Sequence, residues 1–172
     1  QEITIAGPGF INFKLNPKIY LDQIETIIDK ENYGKSNIGQ NKTALVEFVS
    51  ANPTGPLTVG HGRGAVLGDA VSNILEWNGY TVKREYYFNN AGRQMRLLGE
   101  SVKSRYLESC GESLNFPEYG YQGEYIQDIA SAIYQQHNES LKNEPSEVFF
   151  KDAAEKSVFN DIKSSLKKIG LE

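Results

Sequence analysis

A chain of 172 residues, 39% of them apolar, has the material for one good-sized domain with a real core. Its single cysteine, Cys110, excludes an internal disulfide, and no apolar run has the length of a membrane span. A net charge of −4 excludes a polycation, so a nucleic-acid partner needs a local basic face.

With no signal peptide at the start, the expected location is cytoplasmic. The first residue is Gln1 and the end, SLKKIGLE, carries no terminal signature, so a fragment of a longer protein is expected. Residues 2–15 alternate apolar and polar around Gly7-Pro8-Gly9, which reads as two short strands and a turn. Pro17 can open a helix whose apolar stripe is Ile19, Leu21, Ile24, Ile27 and Ile28. The polar, glycine-bearing stretch 29–42 reads as a linker. Thr43 to Val49 reads as the first strand of the main domain, ended by Pro53 and Pro56, which cannot donate ladder hydrogen bonds.

From Val59 the period changes. Val66, Leu67, Ala70, Val71, Ile74 and Leu75 recur at three- and four-residue spacings and form one helix face, with Gly79 as its stop. Tyr80 to Phe88 reads as a second strand, parallel to the first because a helix intervenes. Asn89 to Gly92 breaks it. Helices are expected over Arg93–Glu108, on Met95, Leu98, Val102 and Tyr106, and over Glu124–Gln136, on Tyr125, Ile126, Ile129 and Ile133. A last helix spans Glu147–Ile169, on Phe150, Val158, Ile162, Leu166 and Ile169. The chain divides into 1–42, 43–92 and a strandless helical insertion, 93–172. Arg93, Arg96, Lys103 and Arg105 make its densest basic cluster, a solvated face or a phosphate contact.

The stretch ALVEFVSANPTGPLTVGHGRG, 44–64, carries the chemistry. Gly60, Gly62 and Gly64 leave the backbone open beside His61 and Arg63, and a helix start attracts anions, so phosphate is the natural guest. Gly60, Gly62 and Ala65 also match a dinucleotide-binding G-x-G-x-x-A, with Glu85 near the next strand's end, which keeps an NAD-dependent oxidoreductase as a rival. That fingerprint belongs right at the strand–helix turn, and ten residues separate Val49 from Gly60. No P-loop motif and no metal-site spacing of Cys or His is present. His137 sits in a polar gap and gains no role.

VEFVSANPTGPLTVGHGRGAVLGD, followed by GYTVKREYYFNNAGRQ and YQGEY, resembles the catalytic domain of class I aminoacyl-tRNA synthetases of the bacterial arginyl type. The resemblance implies an α/β fold. Its core would be the first half of a Rossmann-like domain with parallel strands, bearing a mostly helical connective insertion. The start would be a short α+β remnant of a tRNA-binding domain. It implies activation of arginine by ATP with Mg2+, then transfer to the 3′ end of arginine tRNA by a monomer. Thr58, Gly60 and His61 match the H-x-G-H signature, with threonine replacing the first histidine. His61 would stabilise charge on the α-phosphate. Pro53, Gly55, Thr58, Gly60, His61 and Gly64 are the implied ATP contacts. Glu47, Ser50, Ala51, Asn52 and His61 would surround the substrate arginine, and Arg93 and Arg96 would contact tRNA. Asn90 stands where the family commonly has aspartate. An inactive, tRNA-binding relative of such enzymes is a second alternative.

Overall fold

The computed structural model describes residues 2–113 and 115–171. Gln1 and Glu172, which bound the first and last expected segments, and Leu114 in the expected loop lie outside the described residues.

The chain opens with an antiparallel hairpin, β1 (Glu2–Ala6) on β2 (Phe10–Lys14), paired Glu2 to Lys14 through Ala6 to Phe10. Gly7 and Gly9 turn it with φ of 56° and 95°. Helix α1 (Pro17–Asp29) is capped by Asn16, whose side chain accepts from the Lys18 amide, and Pro17 occupies its first turn. Its expected apolar stripe buries nothing: Ile24 and Ile28 stay exposed, as do Ile3 and Ile5 of the hairpin.

The expected linker is tied down. The Gly39 and Asn41 amides donate to the carbonyls of Asn78 and Gly79, and the Trp77 indole donates to the Tyr33 carbonyl. Residues 30–42 therefore wrap the end of the next helix. Strand β3 (Thr43–Glu47) and strand β4 (Thr81–Glu85) pair in parallel, Thr43 with Thr81 through Glu47 with Glu85. Helix α2 (Val59–Trp77) crosses between them. Gly79, at φ 82°, follows its C-cap Asn78, the left-handed position that favours glycine.

The buried line of α2 corrects the sequence expectation. Ala65, Gly68 and Ser72 face the sheet, while Val66, Leu67, Val71 and Ile74 are exposed. Small residues win because the helix lies close on β3: a Cβ at Gly68 would stand 2.2 Å from Phe48 Cγ.

The main core lies in the helical part. Helices α3 (Arg93–Ser109), α4 (Glu124–His137) and α5 (Lys151–Lys168), with a π-helical turn at Ser146–Phe150, enclose it. Met95, Leu98, Val102, Tyr106, Ile126, Ile133, Phe150, Val158 and Ile162 are buried together. Each such side chain contributes roughly 1.5–3 kcal/mol on leaving water. The buried Tyr106 hydroxyl donates to the Asn138 carbonyl and accepts from the Leu141 amide, so its burial leaves no orphan. Ile169 lies beyond α5 and is exposed, against the expected burial.

Candidate functional site

The site begins where β3 fails. The Phe48 amide still donates to the Glu85 carbonyl, 3.2 Å, but Val49 and Ser50 then adopt φ of 66° and 42°. The Ser50 amide donates back to the Phe48 carbonyl, 2.9 Å, and closes a three-residue turn around Val49. Positive φ on a β-branched residue is a genuine outlier, with a cost on the order of 1–3 kcal/mol per residue. The strand expected to reach Val49 therefore stops at Glu47, and the one expected to reach Phe88 stops at Glu85.

The turn folds Ser50 back over the strand end. Its hydroxyl donates to Glu47 Oε1, 2.7 Å, and accepts from the Tyr87 amide, 3.0 Å. Glu47 is exposed and makes no ion pair among the described residues. An oriented carboxylate without a cation is suited to an ammonium or guanidinium ligand.

Residues 51–58 bridge to α2. Ala51 is buried, and its carbonyl accepts from the Tyr86 hydroxyl, 2.6 Å. Half-buried Asn52 donates from Nδ2 to Gln94 Oε1, 2.6 Å, which leaves its own carbonyl oxygen as an acceptor. The Thr54 amide donates to the Asn52 carbonyl across fully buried Pro53. The Thr54 carbonyl in turn accepts from the Tyr125 hydroxyl, 2.7 Å. Burial raises the pKa of both phenols, that of Tyr125 to about 12. Gly55 packs under the same hydroxyl: a Cβ there would stand 3.0 Å from it.

Helix α2 opens with a reciprocal cap. Thr58, a residue type that favours the N-cap, accepts from the His61 amide on Oγ1, 3.4 Å. The Thr58 amide donates to His61 Nδ1, 3.0 Å. Because Nδ1 accepts from a group that can only donate, the hydrogen-bond network assigns the ring proton to Nε2. His61 thus presents an N–H donor at a helix N-terminus, where the first amides and the dipole already favour an anion. Gly60 is exposed in the first turn, and a Cβ at Gly64 would meet nothing within 4 Å.

Eleven residues, 48–58, separate β3 from α2, so the glycines do not sit at a tight strand–helix turn and the dinucleotide fingerprint lacks its geometry. A shallow trough of about 940 Å3 runs along α2 past Gly60, Gly62 and Gly64. None of Glu47, Ser50 and Asn52 lines it. A second cavity, about 690 Å3, lies under Phe48, Val49 and Tyr86 and is also apart from them. Glu47, Ser50 and Asn52 at one end and the glycine-spaced helix start at the other are joined by one loop rather than by one enclosed pocket.

Arg93 and Arg96 are exposed at the start of α3, with Arg93 over the Tyr119 ring. Arg105 is engaged by Glu108 and Phe116, which makes it structural. Asn90 donates to Glu155 on α5, 3.0 Å. His137 packs edge-on to Phe149. Among the described residues no group of three or more His, Cys, Asp or Glu side chains could hold a metal ion. No helix among them is long and apolar enough to cross a membrane.

Sequence reasoning missed Gln94, Tyr86 and Tyr125 as partners of the loop. They lie 42, 35 and 71 residues from the groups they bond. Their one signal was membership of the segments GYTVKREYYFNNAGRQ and YQGEY.

A family model described as tRNA synthetases class I (R), catalytic domain, matches residues 23–169. An arginine--tRNA ligase of Desulfotalea psychrophila is 51% identical over 170 residues, 98% of this chain and 31% of that protein. Another, of Chlorobium phaeobacteroides, is 54% identical over 172 residues, 99% of this chain and 31% of that protein. The chain thus spans about a third of the length of these curated relatives. A crystal structure from Campylobacter jejuni, of a chain assigned to the arginyl-tRNA synthetases, superposes with a TM-score of 0.73. It is 34% identical and the match covers 91% of this chain and 36% of that one.

Proposed function

The chain belongs to the family of class I (R) tRNA synthetase catalytic domains, and from that premise we propose that it forms the arginine- and ATP-binding part of an arginine–tRNA ligase. Residues 1–42 would end a tRNA-binding domain, 43–92 would be the first half of the Rossmann-like catalytic domain, and 93–172 its helical connective insertion. Within the longer enzyme, arginine is activated by ATP as arginyl-adenylate and passed to the 3′ end of arginine tRNA.

The observation that carries this reading is the locked ring of His61, whose Nε2–H is aimed from a glycine-spaced helix start. A donor fixed in advance stabilises charge developing on the α-phosphate without reorganising, which is how electrostatic catalysis works. Glu47 and Ser50, already hydrogen-bonded to each other, offer a carboxylate to the arginine ammonium or guanidinium. Asn52 offers its side-chain oxygen, Oδ1, while its main-chain carbonyl is taken by the Thr54 amide. Ala51 lies between them, Gly60 gives adenine a bare backbone, and Pro53, Gly55, Thr58 and Gly64 shape the ATP side. Thr58 serves through its cap, since its hydroxyl is engaged with His61. With no carboxylate cluster among the described residues to hold it, Mg2+ would arrive on the ATP phosphates. Arg93 and Arg96, exposed at the start of α3, would contact tRNA phosphate.

The test is arginine-dependent pyrophosphate exchange by the full-length polypeptide carrying this chain, with arginine tRNA present. Asn52→Ala should raise the KM for arginine at least about tenfold, as loss of one charge-assisted hydrogen bond predicts. An unchanged KM would remove Asn52 from the arginine pocket. The chain by itself should give no exchange.

A further inference from the structure

The loop that carries the proposed site follows a backbone that should not hold by itself. Val49 and Ser50 both sit at positive φ, and neither is glycine. Strained conformations persist where the surroundings over-determine them. After the strained turn, the carbonyls of Ala51 and Thr54 each accept from a tyrosine hydroxyl, at 2.6 and 2.7 Å. The two tyrosines come from different elements. Tyr86 follows β4 in the sheet, and Tyr125 opens α4 in the helical insertion.

We propose that Tyr86 and Tyr125 are positioning residues, a two-hydroxyl clamp that fixes residues 51–54 so that the arginine-side and ATP-side groups keep one register. The clamp rests on the synthetase reading for its reaction, but its geometry belongs to this chain. Both rings are half-buried, and each hydroxyl is engaged by a loop carbonyl. Gly123 admits the Tyr125 ring, since a Cβ there would lie 2.5 Å from Cε1. Gly55 leaves room for its hydroxyl. A phenol is protonated through the neutral range and can donate there, and burial raises the pKa of both further still. Neither tyrosine touches the reacting atoms. Each acts by holding a carbonyl beside residues that do.

Tyr86→Phe and Tyr125→Phe remove one hydroxyl each and keep the ring that packs. In the full-length enzyme each should lower kcat for pyrophosphate exchange about tenfold, with the melting midpoint nearly unmoved. The double variant should fall by less than the product of the two, because one loop acts as a unit. Amide hydrogen exchange over residues 50–58 should quicken about tenfold in each single variant. Tyr20→Phe, on exposed α1, is the control. Unchanged kcat in both variants of an active enzyme would overturn the positioning role, and so would a kcat loss matched by a collapse in melting midpoint. If the wild-type enzyme shows no arginine-dependent exchange, the synthetase reading fails. Amide exchange then decides the clamp, and unchanged exchange overturns it.

Discussion

Gly68→Ala sets two well-measured effects against each other. On α2 taken as an isolated helix, alanine is the better residue by about 1 kcal/mol, because glycine loses more backbone freedom on folding. In the folded chain the added methyl meets Phe48 at 2.2 Å from Cγ, 2.4 Å from Cβ and 2.7 Å from Cδ1. Ordinary carbon contacts begin near 3.5 Å, so roughly 1 Å of separation is missing. Rotating the phenyl ring cannot supply it, since the Phe48 Cβ is itself too close. Helix α2 must lift from β3, which loosens Ala65 and Ser72 on the same buried line. Overpacking costs about 1–3 kcal/mol, and with the Phe48 Cγ and Cβ at 2.2 and 2.4 Å the upper part of that range, about 2–3 kcal/mol, applies; less the propensity gain of about 1 kcal/mol, it leaves a net loss of about 1–2 kcal/mol. Trp77, the single tryptophan, ends α2 and reports on it. With an m-value of about 2 kcal/mol/M, the urea midpoint read by its fluorescence should fall by about 0.5–1 M. A midpoint that rises would mean that propensity governs and that α2 does not lie on Phe48 as described.

Two further outcomes are expected. Gly60→Ala places its methyl 3.5 Å from Thr58 Oγ1, an ordinary contact, so stability should hold or rise. In the full-length enzyme the same methyl should raise the KM for ATP about tenfold, and an unchanged KM would dissociate Gly60 from adenine. Burial lifts the Tyr125 phenol from 10.0 to about 12. Its contribution to stability is therefore complete below pH 10 and is lost as pH rises through 12, because the unfolded chain gives up the proton first. Urea midpoints at about pH 9 and about pH 11 should fall further for wild type than for Tyr125→Phe. Equal falls would show that the phenol is not desolvated.

The helices from Arg93 onward were legible because their own residues bury them. Met95, Leu98, Val102 and Tyr106, like Ile126, Ile129 and Ile133, recur at helical spacing and meet in one core. The parallel pairing of β3 and β4 was legible from the helix between them. The face of α2 was not. Its large apolar residues gave the stronger periodic signal, yet the closeness of β3 selected Ala65, Gly68 and Ser72, and no one-dimensional pattern reports an inter-axial distance. The stripe on α1 failed in the same way, since periodicity says which residues could be buried and not what covers them.

For the site, sequence by itself determined the residue types: a carboxylate, a hydroxyl and an amide at a strand's end, then glycines around a histidine at a helix start. Those follow from local rules of propensity, capping and turn chemistry, which act over a few residues. Tertiary structure alone decided the strained turn at Val49 and the reach of Tyr86, Gln94 and Tyr125 across 35, 42 and 71 residues. The physical reason is range. A hydrogen bond needs its partner within about 3 Å in space, and sequence measures separation along the chain.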